Sequence, residues 1–486
     1  MRSLALHITV MTALLVTCTQ AERLIWLGTL ASAPSSATGV SADGTRVSGW
    51  YTVSGDFTRA FLWQDGVFQE LGTLGGNNSV ATGISADGST VIGYAETVEG
   101  YKRAFRWKSG AMRDLGVLPL DTNSYASDVS DDGRVIVGYS YGTASRPRAV
   151  WWTPASGIQP LSLPADTTES YATSVSADGR FITGIRRTGN TEPFRAFQYD
   201  TLTATYTELP PLLPGALSFV NSIGRDGVIK VGFTVTPDGD IPTKWFETTP
   251  VRLGGLGILR DVSADGKIAI GQSRGLAARW SEYGVPDFLG ITYSFLLNRG
   301  DELRIAESIS PDGRFIVGQG YVGNLNCNMA YLLDTDGTYS IKGNMELRDF
   351  VGDITRVPIT VQMRRYGVIV RSETVYLDAN GNYEISNVPS MEYDITFYAR
   401  PWLRVNVNGV RVAGADVTGL NVALISGDID GDNEVTLFDF GELVAAFGST
   451  PGDTNWNRYA DLDGDEEVTL FDFGILVRNF GAMGDW

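Results

Sequence analysis

One tetrapeptide, Ser-Ala-Asp-Gly or a close variant, is written seven times within the first 313 residues of this chain. It stands at Ser41 to Gly44, Ser85 to Gly88, Ser130 to Gly133, Ser176 to Gly179, Gly224 to Gly227, Ser263 to Gly266 and Ser310 to Gly313. The final glycines lie 44, 45, 46, 48, 39 and 47 residues apart. A period of about 40–50 residues marks a radial or stacked array of like units, not one ordinary core. Asp-Gly between β-prone runs signals a hairpin, because glycine accepts the positive φ that such turns need.

Each turn is followed by a short strand ending in glycine, as in Arg46 to Gly49, Val135 to Gly138 and Phe315 to Gly318. An aromatic strand comes next, as in Arg59-Ala-Phe-Leu-Trp63 and Arg103-Ala-Phe-Arg-Trp107. The alternation of Phe and Trp is expected to put one aromatic on each face of a unit. A short segment, Leu71 to Leu74 or Leu115 to Leu118, is expected to close the unit as its fourth strand. The seventh unit lacks such a segment, whereas residues 24–30 match one, so they are expected to complete it. Seven units of four strands predict an all-β seven-bladed β-propeller; an open β-solenoid is the alternative. The 57 glycines and 11% aromatic content fit short strands and tight turns.

These units resemble the HAF family of extracellular repeats, which joins a Leu-Gly-Thr-Leu-Gly-Gly segment (Leu71 to Gly76) to a His-Ala-Phe-x-Trp strand. Arg59 and Arg103 replace the His, and units five to seven are degenerate. The resemblance implies a surface or secreted propeller with no established activity. The tetrapeptide is not the sialidase Asp-box, because Gly follows Asp directly; it reads as a hairpin corner capped by Ser and Asp. Trp63, Trp107, Trp152 and Trp280 recur at one strand position and read as core between units rather than as sugar platforms.

Arg2, the apolar run from Leu4 to Val16 and Thr19-Gln-Ala21 read as an export signal. Leu15-Val-Thr-Cys18 leaves a lipoprotein reading open. The only histidine, His7, falls inside the signal, and Cys327 is the only other cysteine. The expected mature chain therefore has no histidine for Ser-His or Cys-His catalysis or for a zinc site. The net charge of −18 shows no basic stripe, which argues against nucleic acid as a partner.

Between about residues 340 and 425 the repeat stops. Thr374 to Asp378, an Asn380-Gly381 turn, Tyr383 to Val388, a Pro389 bend and Tyr393 to Ile395 read as strand, turn, strand, bend and strand. This stretch resembles the carboxypeptidase-regulatory-like, prealbumin-type β-sandwich, which implies a rigid spacer. Met391-Glu392 stands where that pattern has Gly.

Residues 426–486 write one twelve-residue loop twice, from Asp428 to Asp439 and from Asp461 to Asp472. Side-chain oxygens fall at positions 1, 3, 5, 9 and 12: Asp428, Asp430, Asp432, Thr436 and Asp439, then Asp461, Asp463, Asp465, Thr469 and Asp472. Glu434 and Glu467 offer position 7 through the backbone. This is EF-hand-type spacing, which wraps a hard cation in oxygens, so two structural calcium ions are expected. The segment holds 14 acids against Arg458 and Arg478, and without cations its carboxylates repel. Position 6, normally glycine, is Asn433 and Glu466. Asn tolerates a left-handed backbone better, so the second loop is expected to bind calcium more weakly.

A helix is expected after each loop. Leu437, Phe440, Leu443, Val444 and Phe447 share one face, as do Leu470, Phe473, Leu476, Val477 and Phe480, and the two faces are expected to pack together. The duplicated unit resembles a type I dockerin, a module that docks onto a cohesin. That resemblance implies recognition through loop positions 10 and 11, here Leu437-Phe438 and Leu470-Phe471. These pairs are more hydrophobic than the small or hydroxyl residues usual in the family.

The expected organisation is a signal (1–21), a propeller (22–340), a β-sandwich (341–425) and an α-helical, dockerin-like calcium module (426–486). The function expected is that of a secreted, non-catalytic binding protein. Its propeller would meet a glycan or protein ligand, and its tail a cohesin-like or envelope protein. Two alternatives stay open: a carbohydrate-active enzyme using channel carboxylates, and a purely structural surface protein. Adjacent channel acids with diverging pKa values would favour the enzyme, and an apolar channel would exclude it.

Overall fold

The computed structural model describes residues 22–28, 33–54, 57–143, 145–281, 284–336, 338–365 and 367–485. The segment expected to be an export signal, with His7 and Cys18, lies outside the described residues. Apart from a small helical C-terminal region, the fold is all-β. Seven four-stranded antiparallel sheets come first. Six of them occupy 35–70, 75–114, 123–160, 169–209, 218–252 and 258–288. The seventh joins Glu302–Ile309, Phe315–Val322 and Cys327–Asp334 to an outer strand from the other end of the chain, Arg23–Trp26. Arg23 pairs with Asp334 and Trp26 with Tyr331. Each sheet packs on the next and the seventh on the first, so the sheets close into a propeller-like ring.

Two glycine positions hold the ring in register. In every sheet the inner strand carries a β-bulge, and opposite it stands the glycine expected to end the second strand, which instead runs on past it, to Thr52, Tyr141 and Val322 in the first, third and seventh sheets. A Cβ on Gly138 would lie 1.9 Å from the Tyr125 carbonyl oxygen, so only glycine lets the two strands pair there. The tetrapeptide glycines contact the sheet before them. Gly44, at φ 69°, faces the Phe315 ring of the seventh sheet, where a Cβ would come within 2.5 Å. Ser41 donates to Asp43 at 2.6 Å, and the Thr45 and Arg46 amides donate to Asp43 and Ser41 at 3.0 Å each. Five other turns repeat the Ser–Asp bond, and the fifth turn, with Gly224 in place of Ser, does without it. The corner expected from the sequence is thus also a joint between sheets. Ala42 donates to the Ala86 carbonyl and Ala264 to that of Pro311, both at 2.8 Å.

Two strand expectations need correction. Phe61 and Trp63 lie on the same face, in the core between the seventh and first sheets, while Ala60 and Leu62 face the second. Residues two apart in a strand point the same way, so Phe-x-Trp cannot straddle a sheet. The fourth strands are Val67–Glu70 and Ala111–Asp114, upstream of the Leu-Gly-x-Leu segments. These outer edges are largely exposed and carry no apolar alternation, and Leu71 and Leu118 are instead buried in the connections. At the N-terminus the strand is correspondingly Arg23–Trp26, with Leu27 buried after it. Residues 29 and 30 of the expected closing segment lie outside the described residues. Trp63, Trp107, Trp152 and Trp280 are all buried, as core residues should be.

Past the ring, a sheet of Thr338–Leu347, Asn382–Pro389 and Val422–Leu424 faces a sheet of Ile359–Arg365, Val368–Val375, Glu392–Ala399 and Trp402–Arg411 across one core. The strands on either side of the Asn380-Gly381 turn belong to different sheets. This unit is tied to the ring through Asp287, a buried carboxylate that takes Arg279 of the sixth sheet and Arg365 of the facing sheet at 2.8 Å each. Burial would raise its pKa, but the two guanidinium groups hold it below the usual range. Among the described residues no helix is long and apolar enough to cross a membrane.

The bulge seam predicts unequal costs for two glycine replacements. Gly138→Ala must move backbone and is expected to cost about 3 kcal/mol or more. Gly110→Ala, at φ 83° with nothing within 4 Å, should cost about 1 kcal/mol. Thermal unfolding of the full chain reads both, and equal shifts would refute the seam.

Candidate functional site

The two acidic loops fold as near-copies. Thr436 and Thr469 cap the helices Leu437–Ala446 and Leu470–Asn479, their hydroxyls accepting from the Phe438 and Phe471 amides at 3.2 Å. Asp439 and Asp472 complete each capping box by accepting from the cap amide at 2.7 Å. The second oxygen of Asp439 accepts from Ile429 (2.7 Å) and Asp430 (3.0 Å), and Asp472 does the same at Leu462 (2.6 Å) and Asp463 (3.2 Å). Position 12 therefore fastens the start of each loop to the start of its helix.

Carboxylate oxygens of Asp428, Asp430 and Asp432 lie within 4.8 Å of one another, as do those of Asp461, Asp463 and Asp472. Such hard oxygen clusters, with no sulfur or imidazole, fit calcium or magnesium rather than a transition metal. Asp439 stays outside the first cluster and Asp465 outside the second. Glu434 and Glu467 contribute amides to Asp432 and Asp465 at 2.9 Å, and the threonine hydroxyls serve the caps. Burial first, then the neighbouring carboxylates, push Asp428 and Asp461 up to about 6. A cation reverses that penalty by pairing with the ionised form.

Position 6 is left-handed in both loops, with φ 73° at Asn433 and 70° at Glu466. Asn433 is buried, accepts from the Arg404 amide (2.9 Å) and donates to the Asp485 carbonyl (3.1 Å). Glu466 is exposed. The second loop leans instead on residues 349–352: the Val351 amide donates to the Asp463 carbonyl at 2.7 Å, Phe350 packs on Gly464, and Arg478 pairs with Asp349 at 2.9 Å.

The apolar helix faces do not meet as expected. Of the ten residues assigned to them, only Leu443 and Leu476 are buried. The loop residues Ile429, Val435, Leu462 and Val468 fill the space between, with Ala446 and Ile475. Phe440 and Phe473 touch at 6.0 Å, and the Leu437-Phe438 and Leu470-Phe471 pairs are 71–75% exposed.

The centre of the ring holds a cavity of about 120 Å³ lined by residues from all seven sheets. Asp128 and Asp261 stand there, partly buried, at one repeat position, the one that holds Gly39, Gly83, Ser174, Ser222 and Ser308 in the other sheets. Asp128 accepts from Ser174 Oγ (2.6 Å) and the Val175 amide (2.9 Å) of the next sheet. Asp261 accepts from Ser222 Oγ (2.7 Å) on one side and from Ser308 Oγ and the Ile309 amide (2.9 Å each) on the other. Arg225 and Asp131 reach across the mouth at 3.8 Å. Burial pushes Asp128 up to about 6 and raises Asp261 as well. Both acids shift the same way and are hydrogen-bonded across sheets, which makes them clasps. Sequence reasoning passed over them; the signal was an acid at a repeat position otherwise held by Gly or Ser.

Residues 426–481 match the dockerin type I domain family, whose members bind calcium. No curated protein matches the chain. Similar solved structures include a type II cohesin–X–dockerin complex from Acetivibrio cellulolyticus (24% identity, covering 30% of this chain and 97% of that one, TM-score 0.26). Others are oligogalacturonate lyase from Vibrio parahaemolyticus (10%, 66% and 95%, TM-score 0.46) and TolB from Acinetobacter baumannii (14%, 61% and 82%, TM-score 0.34). At such TM-scores these likenesses carry nothing for the architecture, which rests on the strand pairings.

Glu466→Gly removes left-handed strain and should stabilise the tail by about 1 kcal/mol, whereas Asn433→Gly loses two buried hydrogen bonds and should destabilise it. Chemical unfolding followed at the tail tests the contrast, which fails if both variants shift alike. For Asp128 the folded value lies above the unfolded one. Its stabilising contribution is therefore full below the ordinary value near 4 and lost as pH rises through about 6. The difference is about 3 kcal/mol. Relative to wild type, Asp128→Asn should gain Tm between about pH 4.5 and about pH 7; a constant difference would refute the assignment.

Proposed function

We propose that the chain is a secreted, non-catalytic modular binding protein: a seven-bladed β-propeller, a β-sandwich spacer and a calcium-dependent docking module. The observation that carries this reading is the dockerin type I match over 426–481, joined to twin convergent carboxylate loops. Asp428, Asp430, Asp432 and Asp439, with Asp461, Asp463, Asp465 and Asp472, would hold two structural calcium ions, helped by the backbone at Glu434 and Glu467. The exposed Leu437-Phe438 and Leu470-Phe471 pairs would meet a cohesin-like or envelope protein with a matching apolar surface. The ring would display the ligand-binding face. A channel enzyme is the weaker reading, because Asp128 and Asp261 are occupied by inter-sheet hydrogen bonds and shift together.

Pull-down from a cell-envelope fraction with the full chain tests the attachment. Capture should occur in calcium and be abolished by EGTA. Replacing Leu437, Phe438, Leu470 and Phe471 by Ser together should weaken it at least ~10-fold. Capture that survives both treatments would sink the proposal. Calcium titration should resolve a weaker second site; two equal affinities would remove that part of it.

A further inference from the structure

One register position separates the second to fifth sheets of the ring from the sixth and seventh; in the first sheet it holds Ser36 opposite Trp50. It is the inner-strand residue just before the one that faces the glycine seam, together with its partner across the pair. In the sixth and seventh sheets these are Ile258 opposite Gln272 and Ile305 opposite Gln319. In the second to fifth they are Val80 opposite Tyr94, Tyr125 opposite Tyr139, Tyr171 opposite Ile185 and Phe219 opposite Phe233. Aliphatic and amide side chains build the same backbone next door, so the fold does not require rings here.

Yet the rings touch from sheet to sheet. Tyr94 and Tyr125 lie 4.6 Å apart, Tyr125 stacks on Tyr139 at 4.9 Å and 7°, and Tyr139 meets Tyr171 edge-on at 4.8 Å. Phe194 extends the arc, 6.0 Å from Tyr171 and 6.2 Å from Phe219. Each ring is half-buried and keeps part of its surface in solvent. Because every inner strand runs towards its Ser-Ala-Asp-Gly turn, the arc's inner-strand rings stand three residues before the position of Asp128 and Asp261, on the side away from the turns.

The charges beside it are of both signs: the Lys102 ammonium lies 5.7 Å over the Tyr94 ring, and Glu96 stands opposite it across the strand pair. Glu169 binds Arg187 and the Tyr171 hydroxyl, and the Arg187 guanidinium lies 4.8 Å over Phe194. Burial pushes the Tyr139 phenol up to about 12 and raises those of Tyr94 and Tyr171, so they stay neutral hydroxyl groups. Partly exposed rings with neutral hydroxyl tips, flanked by Lys102 and Glu96 and by Arg187 and Glu169 so that neither sign dominates, suit a polyhydroxylated neutral ligand. Its C–H faces can lie on the rings while its hydroxyls meet phenol, guanidinium and carboxylate edges.

We propose that this aromatic arc is a binding face for a neutral polysaccharide chain. The proposal rests on the reading that the ring displays a ligand surface, and supplies its residues and ligand class. Affinity electrophoresis and calorimetry of the full, calcium-loaded chain test it, with xyloglucan, mixed-linkage β-glucan and galactomannan as neutral probes and polygalacturonate as the anionic one. Tyr125→Ile with Tyr139→Ile, and separately Tyr171→Ile, borrow the side chains of sibling sheets and should fold with an unchanged circular dichroism spectrum. At least one neutral polymer should bind, and both variants should weaken it at least ~10-fold, whereas Gln272→Leu should not. Neutral binding that the arc variants leave intact overturns this site while the display reading stands. Binding to polygalacturonate alone overturns the ligand class. Failure of every polymer overturns the proposal, and calcium-dependent capture through the tail then shows whether the attachment reading survives it.

Discussion

A ring of sheets is stable only if its two ends are joined, and here one outer strand does that. Arg23–Trp26 pairs with Cys327–Asp334, Ser35 Oγ accepts from the Ala330 amide at 3.0 Å, and Phe315 sits against Gly44. Closing a loop of this length costs about 5 kcal/mol of chain entropy. The core where the first and seventh sheets meet, with Phe61, Trp63, Phe315 and Leu332 buried, offsets it, each such side chain contributing about 1.5–3 kcal/mol. The central clasps and the aromatic arc both depend on that closure, because each needs neighbouring sheets held in one register.

The same join sets where the sheet pair sits on the ring. The chain leaves the ring at Asp334 and enters the next sheet at Thr338, and Tyr339 donates to Glu22 beside the closing strand. Asp287 adds a second tie between two buried guanidinium groups, a kind of contact that tolerates little rotation. Arg411 donates to Ser294 at 2.7 Å and Gly414 packs on Phe295, so the sheet pair rests on the ring along an edge.

Much of this was legible because the repeat writes its geometry in residues with narrow conformational roles. Asp and Gly at the turn, and glycine opposite the bulge, leave few other structures open. The outer strands were misplaced because Val67–Glu70 packs only Phe68 against the core and carries no apolar period. The tail's acids were legible because metal spacing is a sequence property, whereas the burial of its helices was not. Their apolar stripe reads as core by periodicity, but Ile429, Val435, Leu462 and Val468 already fill that space from the loops. The aromatic arc escaped notice because its members sit one per strand, and only the pairing register aligns them.

The backing of the second acidic loop by residues 349–352 has a mechanical meaning. If the tail is held by a partner as proposed, load would enter through its helices, and the contacts of Asp463, Gly464 and Arg478 with residues 349–352 lie between the second helix and the sheet pair. At the first loop, the Gly427 and Asp428 amides both donate to the Pro401 carbonyl, and the Leu403 amide donates to that of Ile425. Such a load would therefore meet two anchors in parallel besides the single connection near residue 425.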